Sequence, residues 1–122
     1  MSKKKILIVD DQREFVLLVN KGLRSRGYEV MAAYDPVQGY RMAIEKQPDL
    51  LLLDIQMPAG GGGSLFDNMQ GNVLTAAIPV IFVTALDEPE LKKAALESGA
   101  AGYMTKPVDL DELVQLIEQA GD

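Results

Sequence analysis

Lys5-Ile6-Leu7-Ile8-Val9-Asp10-Asp11, near the start of the chain, is the stretch that decides the fold. Ile6 to Val9 form an unbroken apolar run rich in β-branched residues, too short for a helix and lacking polar alternation. Such a run suits a strand buried on both faces, as in a parallel sheet. Leu50-Leu51-Leu52-Leu53 and Val80-Ile81-Phe82-Val83 have the same form. Val30-Met31-Ala32-Ala33 and Gly102-Tyr103-Met104 are weaker strand candidates.

Helical patterns fill the intervals. Phe15, Leu18, Val19, Gly22 and Leu23 recur at helical spacing, which predicts an amphipathic helix over residues ~13–26 closed by Gly27. Asp35-Pro36 has the form of an N-cap followed by proline at the first helical position, with Met42 and Ala43 inward and Pro48 beyond the end. Asp87 with Glu90, and Asp109 with Glu112, have the spacing of capping boxes before Leu91, Ala94, Ala95 and before Leu110, Leu113, Val114, Ile117. The third helix is the poor one. Gly60-Gly61-Gly62-Gly63 opposes helix at about 1 kcal/mol per glycine, so a shortened or flexible turn is expected, capped by Ser64 and ended by Gly71-Asn72. No Gly-Lys-Ser/Thr ending follows, so the run is no P-loop.

The alternation predicts an α/β fold: a doubly wound, five-stranded parallel sheet with helices on both faces. At 122 residues it is expected to be a single domain, 1–122 with a core at about 5–120, and no output domain. Cysteine is absent, which excludes disulfides and thiolate metal sites, and histidine is absent, which removes the usual neutral-pH acid/base. A net charge of −6 argues against direct nucleic-acid contact. Lys3-Lys4-Lys5 is expected to be a solvated flank. No apolar stretch approaches the ~20 residues of a membrane span, and no signal-peptide core is present, so no membrane contact and a cytoplasmic location are expected.

Polar residues stand where the strong strands end. Asp10 and Asp11 follow the first, Asp54 ends the third, Thr84 ends the fourth, and Lys106 follows the fifth. A parallel sheet gathers these positions on one edge, in the crevice where such folds bind ligands. Singly, each has a plain reading as a cap, a turn residue, a strand hydroxyl or a surface lysine. Together, three carboxylates repel one another and need a compensating cation. Oxygen donors without His or Cys suit a hard ion, Mg²⁺ rather than Zn²⁺. A carboxylate can attack phosphorus to give an aspartyl phosphate, and lysine and a hydroxyl can hold the remaining oxygens. With no histidine in the chain, any phosphohistidine donor lies on another molecule.

At these residues the chain resembles the CheY-like receiver domains of two-component response regulators. The resemblance runs over residues ~5–120 and rests on Asp10-Asp11, Asp54-Ile55-Gln56-Met57-Pro58, Thr84-Ala85, Lys106-Pro107 and the flanking Ser98 to Met104. It implies the flavodoxin-like strand order 2-1-3-4-5. It implies that Asp54 accepts a phosphoryl group and that Asp11, Asp54 and the backbone carbonyl of Gln56 bind Mg²⁺, with Asp10 acting mostly through water. Thr84, Ala85 and Lys106 would contact the phosphoryl group, and Thr84 with Tyr103 would form a switch. The donor implied is a sensor histidine kinase or a histidine phosphotransfer protein, and the recipient a downstream protein or output domain. Lys92, Lys93 and Tyr103 are the candidates for that partner face. Pro107 allows the cis Lys106–Pro107 bond frequent in the family, against the ordinary trans preference. Gln56 and Leu86 border the implied path of hydrolytic water. Such a protein is no turnover enzyme on external substrates; it catalyses only its own phosphorylation and dephosphorylation.

Three other readings share parts of the pattern. A metal-dependent phosphatase with an aspartyl nucleophile resembles Asp-x-Asp, whereas here the aspartates are adjacent and residue 12 is Gln. A binding module that keeps only the fold predicts gaps among the acidic and lysine positions, and none is missing. A flavin carrier needs a phosphate-friendly loop after the first strand, where Asp10 and Asp11 repel phosphate.

Overall fold

The computed structural model describes residues 4–57 and 61–120. Lys3 of the basic run, and Pro58 and Gly60 of the loop after the third strand, lie outside them. The elements alternate as β1 (Lys5–Val9), α1 (Arg13–Ser25), β2 (Glu29–Ala33), α2 (Pro36–Lys46), β3 (Leu50–Leu53), α3 (Gly61–Gln70), β4 (Val80–Thr84), α4 (Pro89–Glu97), β5 (Gly102–Thr105) and α5 (Leu110–Ala120). All neighbouring strands pair in parallel, in the order β2-β1-β3-β4-β5.

The two-residue period of a strand sorts the central side chains into two cores. Leu7, Val9, Leu51, Leu53, Val80 and Phe82 face α2, α3 and α4. Ile6, Ile8, Leu50, Leu52, Ile81 and Val83 face α1 and α5. Polar residues that alternation would put on a solvated face have no place in these runs, because both faces are covered.

Helix ends follow their local chemistry. Asp35 caps α2 by accepting the Gln38 N–H at 2.8 Å, with Pro36 at the first position. Asp109 accepts the Glu112 N–H at 3.1 Å and caps α5. Gly27, at φ +93°, closes α1 in the left-handed region that suits glycine.

Three expectations are corrected. The buried face of α1 is Val16, Val19 and Leu23; Leu18 is 64% exposed and Phe15 only half-buried. The helix is rotated so that Leu18 lies beside Val108 and Leu110 in a groove against α5 rather than under the sheet. Helix α4 does not use the Asp87/Glu90 box: its N-cap is Glu88, without a side-chain cap bond. Pro89 decides this, since its fixed φ and missing N–H favour the first helical position. Helix α3 is neither short nor capped by Ser64; it runs Gly61–Gln70 with Ser64 inside it. Leu65, Phe66 and Met69 are buried against the sheet, with Phe66 edge-on to Phe82 at 5.3 Å. That packing outweighs the glycine propensity.

Candidate functional site

The ladder places the acidic residues side by side. Asp10 N–H donates to Ala33 O at 3.1 Å and Asp54 N–H to Val9 O at 3.1 Å, so both aspartates are held by strands that continue one step past their last paired residue. Lys106 N–H donates to Thr84 O at 2.8 Å, which brings the lysine to the same edge from β5. The Lys106–Pro107 bond is cis.

The two buried aspartates use their oxygens alike. Asp10 Oδ1 accepts the Gln12 N–H at 2.9 Å, and Asp54 Oδ1 accepts the Gln56 N–H at 2.9 Å. Their Oδ2 atoms both face Lys106 Nζ, at 2.7 Å from Asp10 and 3.1 Å from Asp54. Asp11 is exposed, and carboxylate oxygens of Asp10, Asp11 and Asp54 lie within 4.8 Å of one another. One ammonium is thus paired with two of three clustered carboxylates, and the negative charge left over favours a further cation. Burial pushes the Asp10 carboxyl above its usual range; its bonds from Lys106 and Gln12 pull the other way, and the Asp54 charge adds to the rise. The donor set is oxygen only and fits a hard divalent ion such as Mg²⁺.

Thr84 is buried at the end of β4, and its Oγ1 accepts the Leu86 N–H at 3.4 Å. Ala85 and Gln56 are exposed beside it and beside Asp54 respectively. Tyr103 is buried in the core on the α3–α4 side of the sheet, and its hydroxyl donates to Leu86 O at 2.7 Å. Burial first, then the Glu88, Asp87 and Asp54 carboxylates, raise its phenol above the ordinary value. Of the partner-face candidates, Lys92 and Tyr103 line one groove of about 660 Å³ between α4 and α5, together with Asp87, Glu88 and Glu112. Lys93 is exposed but lies outside that lining.

Sequence reasoning missed two neighbours of Lys106. Gln12 Oε1 accepts from Lys106 Nζ at 2.6 Å, and the Phe15 ring lies 4.2 Å from the same nitrogen. Gln12, next after the aspartate pair, is the extended N-cap residue of α1, and Phe15 lies in its first turn three residues on. That closeness to the aspartate pair is the signal the sequence offers; helical periodicity alone points Phe15 inward.

Residues 6–118 match the family described as response regulator receiver domain. Among curated relatives, the DNA-binding dual master transcriptional regulator RpaA of Synechocystis is 37% identical over 110 residues, covering 90% of this chain and 46% of its own. The phosphate regulon transcriptional regulatory protein PhoB of Pseudomonas aeruginosa is 38% identical over 114 residues, covering 93% and 50%. The chain therefore spans about half the length of these relatives. Among solved structures, a CheY-like response regulator receiver domain protein from Methanospirillum hungatei is 31% identical, with a TM-score of 0.85 and 97% of each chain covered. The chemotaxis protein CheY4 of Vibrio cholerae gives a TM-score of 0.90 at 25% identity, covering 98% of this chain and 99% of its own.

Proposed function

The chain belongs to the receiver domains of two-component response regulators, and from that premise we propose that Asp54 takes a phosphoryl group from a phosphohistidine on a sensor histidine kinase or histidine phosphotransfer protein. The observation that carries the proposal is the meeting of Asp10, Asp11, Asp54 and Lys106 at one end of the sheet. In the transfer, a carboxylate oxygen of Asp54 bonds to phosphorus as the P–N bond to the donor imidazole breaks. The bonding pair leaves on the imidazole nitrogen.

Asp10, Asp11, Asp54 and the Gln56 carbonyl are the groups that would hold Mg²⁺. Bound there, the ion supplies neutralisation of carboxylate and phosphoryl charge. Lys106 supplies a fixed positive charge beside Asp54, and Thr84, with the adjacent Ala85 backbone, hydrogen-bond donors for phosphoryl oxygens. The reaction is confined to the protein's own acyl phosphate, with no turnover of external substrates.

Phosphorylation adds ≈ −1.5 to −2 charge and new acceptors at this edge. Thr84 is then drawn from the Leu86 N–H toward the phosphoryl group. The same Leu86 carries the Tyr103 hydroxyl on its carbonyl, so the loop couples the acidic site to the groove between α4 and α5. That groove is the proposed partner face, with Lys92 and Tyr103 in its lining and Lys93 beside it. The net charge of −6 assigns any DNA contact, such as the name of the Synechocystis relative states for that protein, to a downstream domain or protein. No helix of the described residues is long and apolar enough to cross a membrane, consistent with signalling in the cytoplasm.

Incubation with phosphoramidate tests the site. Phosphoryl incorporation is expected with Mg²⁺, to fall sharply with chelator, and to vanish in Asp54→Asn. Undiminished incorporation in that variant rejects the assignment.

A further inference from the structure

Lys106 is held by more than the groups a phosphoryl site needs. An ammonium has three N–H donors. Here three acceptors take them: Asp10 Oδ2 at 2.7 Å, Gln12 Oε1 at 2.6 Å and Asp54 Oδ2 at 3.1 Å. The Phe15 ring makes a fourth contact, with Nζ 4.2 Å from its centroid. The lysine side chain is only 10% exposed despite its place at the rim of the sheet.

These contacts differ in what happens when a phosphoryl group arrives. A phosphoryl oxygen that takes one N–H of Lys106 displaces one of the three acceptors. Asp10 and Asp54 are the carboxylates proposed for metal and phosphoryl binding, so their bonds to Lys106 are the ones redistributed. Gln12 is exposed, and water competes for its amide. The ring needs no N–H and attracts the cation through its π face, most strongly where water is excluded. It is also fixed in place: Phe15 sits in the first turn of α1 and packs against the core beneath that helix. A flexible lysine stem otherwise spends rotamer entropy to hold one geometry.

We propose that Phe15 is a positioning residue that holds the Lys106 ammonium over Asp54 through its ring face while the lysine exchanges hydrogen-bond partners. This rests on Asp54 being the phosphoacceptor. The plainer role for Phe15 is packing alone. Leucine preserves packing without a π face, and tyrosine preserves the face.

The test compares wild type, Phe15→Leu and Phe15→Tyr under phosphoramidate and Mg²⁺, with the Lys106 Hε resonances followed by NMR. In Phe15→Leu the phosphorylation rate at saturating donor falls about 5-fold, within the span of a partly desolvated cation–π contact. The donor concentration for half-maximal rate and the Mg²⁺ affinity stay as in wild type, and Phe15→Tyr restores the rate. Lys106 Hε is shifted upfield by the ring current in wild type and Phe15→Tyr, and that shift is lost in Phe15→Leu. Phe15→Met repeats the comparison if Phe15→Leu does not fold. An unchanged rate in the folded ring-less variant overturns the proposal. So does a Phe15→Tyr rate as low as that of Phe15→Leu, or a wild-type Lys106 Hε without an upfield shift. Absence of label at wild-type Asp54, with the upfield shift present, sinks the phosphoacceptor reading instead and leaves the ring contact standing as structure only.

Discussion

Lys106 is the one side-chain cation paired with the buried aspartates among the described residues. Without metal it is the cation against the buried Asp10 and Asp54 carboxylates, at 2.7 and 3.1 Å. Lys106→Met leaves both carboxylates without that partner, and a loss of about 3 kcal/mol is expected, the low end for a broken buried pair. Urea unfolding measures it. Millimolar Mg²⁺ is expected to return part of the loss by binding only the folded state; a variant as stable as wild type without Mg²⁺ contradicts the charge balance described for the site. A second residue-scale effect belongs to Tyr28. Its hydroxyl donates to Glu118 at 2.9 Å, and burial with that carboxylate pushes the phenol up to about 12. The fold thus favours the protonated phenol. Its contribution is intact below the ordinary value of 10.0 and is lost as the pH rises from there to about 12. Stability of wild type is expected to fall across that window, and more gently in Tyr28→Phe. Equal slopes rule out the Tyr28–Glu118 contact as the cause.

Two helical glycines carry opposite expectations at the scale of the element. A Cβ on Gly63 in α3 meets nothing within 4 Å, so Gly63→Ala should stabilise by about 1 kcal/mol through helix propensity. A Cβ on Gly39 in α2 meets Val9 side-chain atoms at 2.8 and 2.9 Å and Leu65 at 3.2 Å. Gly39→Ala should therefore destabilise by roughly 1–3 kcal/mol, as overpacked core positions do. Denaturant midpoints decide both; the same sign for the two substitutions contradicts the packing described between α2, α3 and β1. The elements themselves were legible in the sequence because buried parallel strands leave continuous apolar runs, and Asp35-Pro36 and Asp109 leave cap chemistry beside them. What was not legible depended on tertiary packing. Propensity alone makes the glycine run a poor helix, but Leu65, Phe66 and Met69 bring α3 onto the sheet. Periodicity finds an apolar face on α1 that includes Leu18, but the rotation of a helix over a sheet is set by its neighbours, and here Leu18 is turned out. The positions of Asp10, Asp11, Asp54 and Lys106 followed from strand ends and topology. The contacts of Gln12 and Phe15 with Lys106 did not, since a lysine's rotamer is fixed only by what surrounds it.

Across the whole molecule, the proposal links two places through one loop. The acidic site lies at the ends of β1 and β3, and the groove lies between α4 and α5. Thr84 and Tyr103 both bond to Leu86, one to its N–H and one to its carbonyl. Beryllofluoride, a mimic of the phosphoryl group, is expected to shift amide resonances of Leu86, Tyr103 and α4 as well as those around Asp54; shifts confined to the acidic edge would reject the coupling. The switch depends first on which carboxylate takes the phosphoryl group. Borohydride reduces an acyl phosphate and leaves homoserine in place of the phosphorylated aspartate, a change that peptide mass spectrometry locates. After reaction with a phosphohistidine donor and Mg²⁺, reduction is expected in the peptide containing Asp54 and nowhere else. Reduction at another carboxylate, or none in a chain that has taken up phosphoryl label, contradicts the claim.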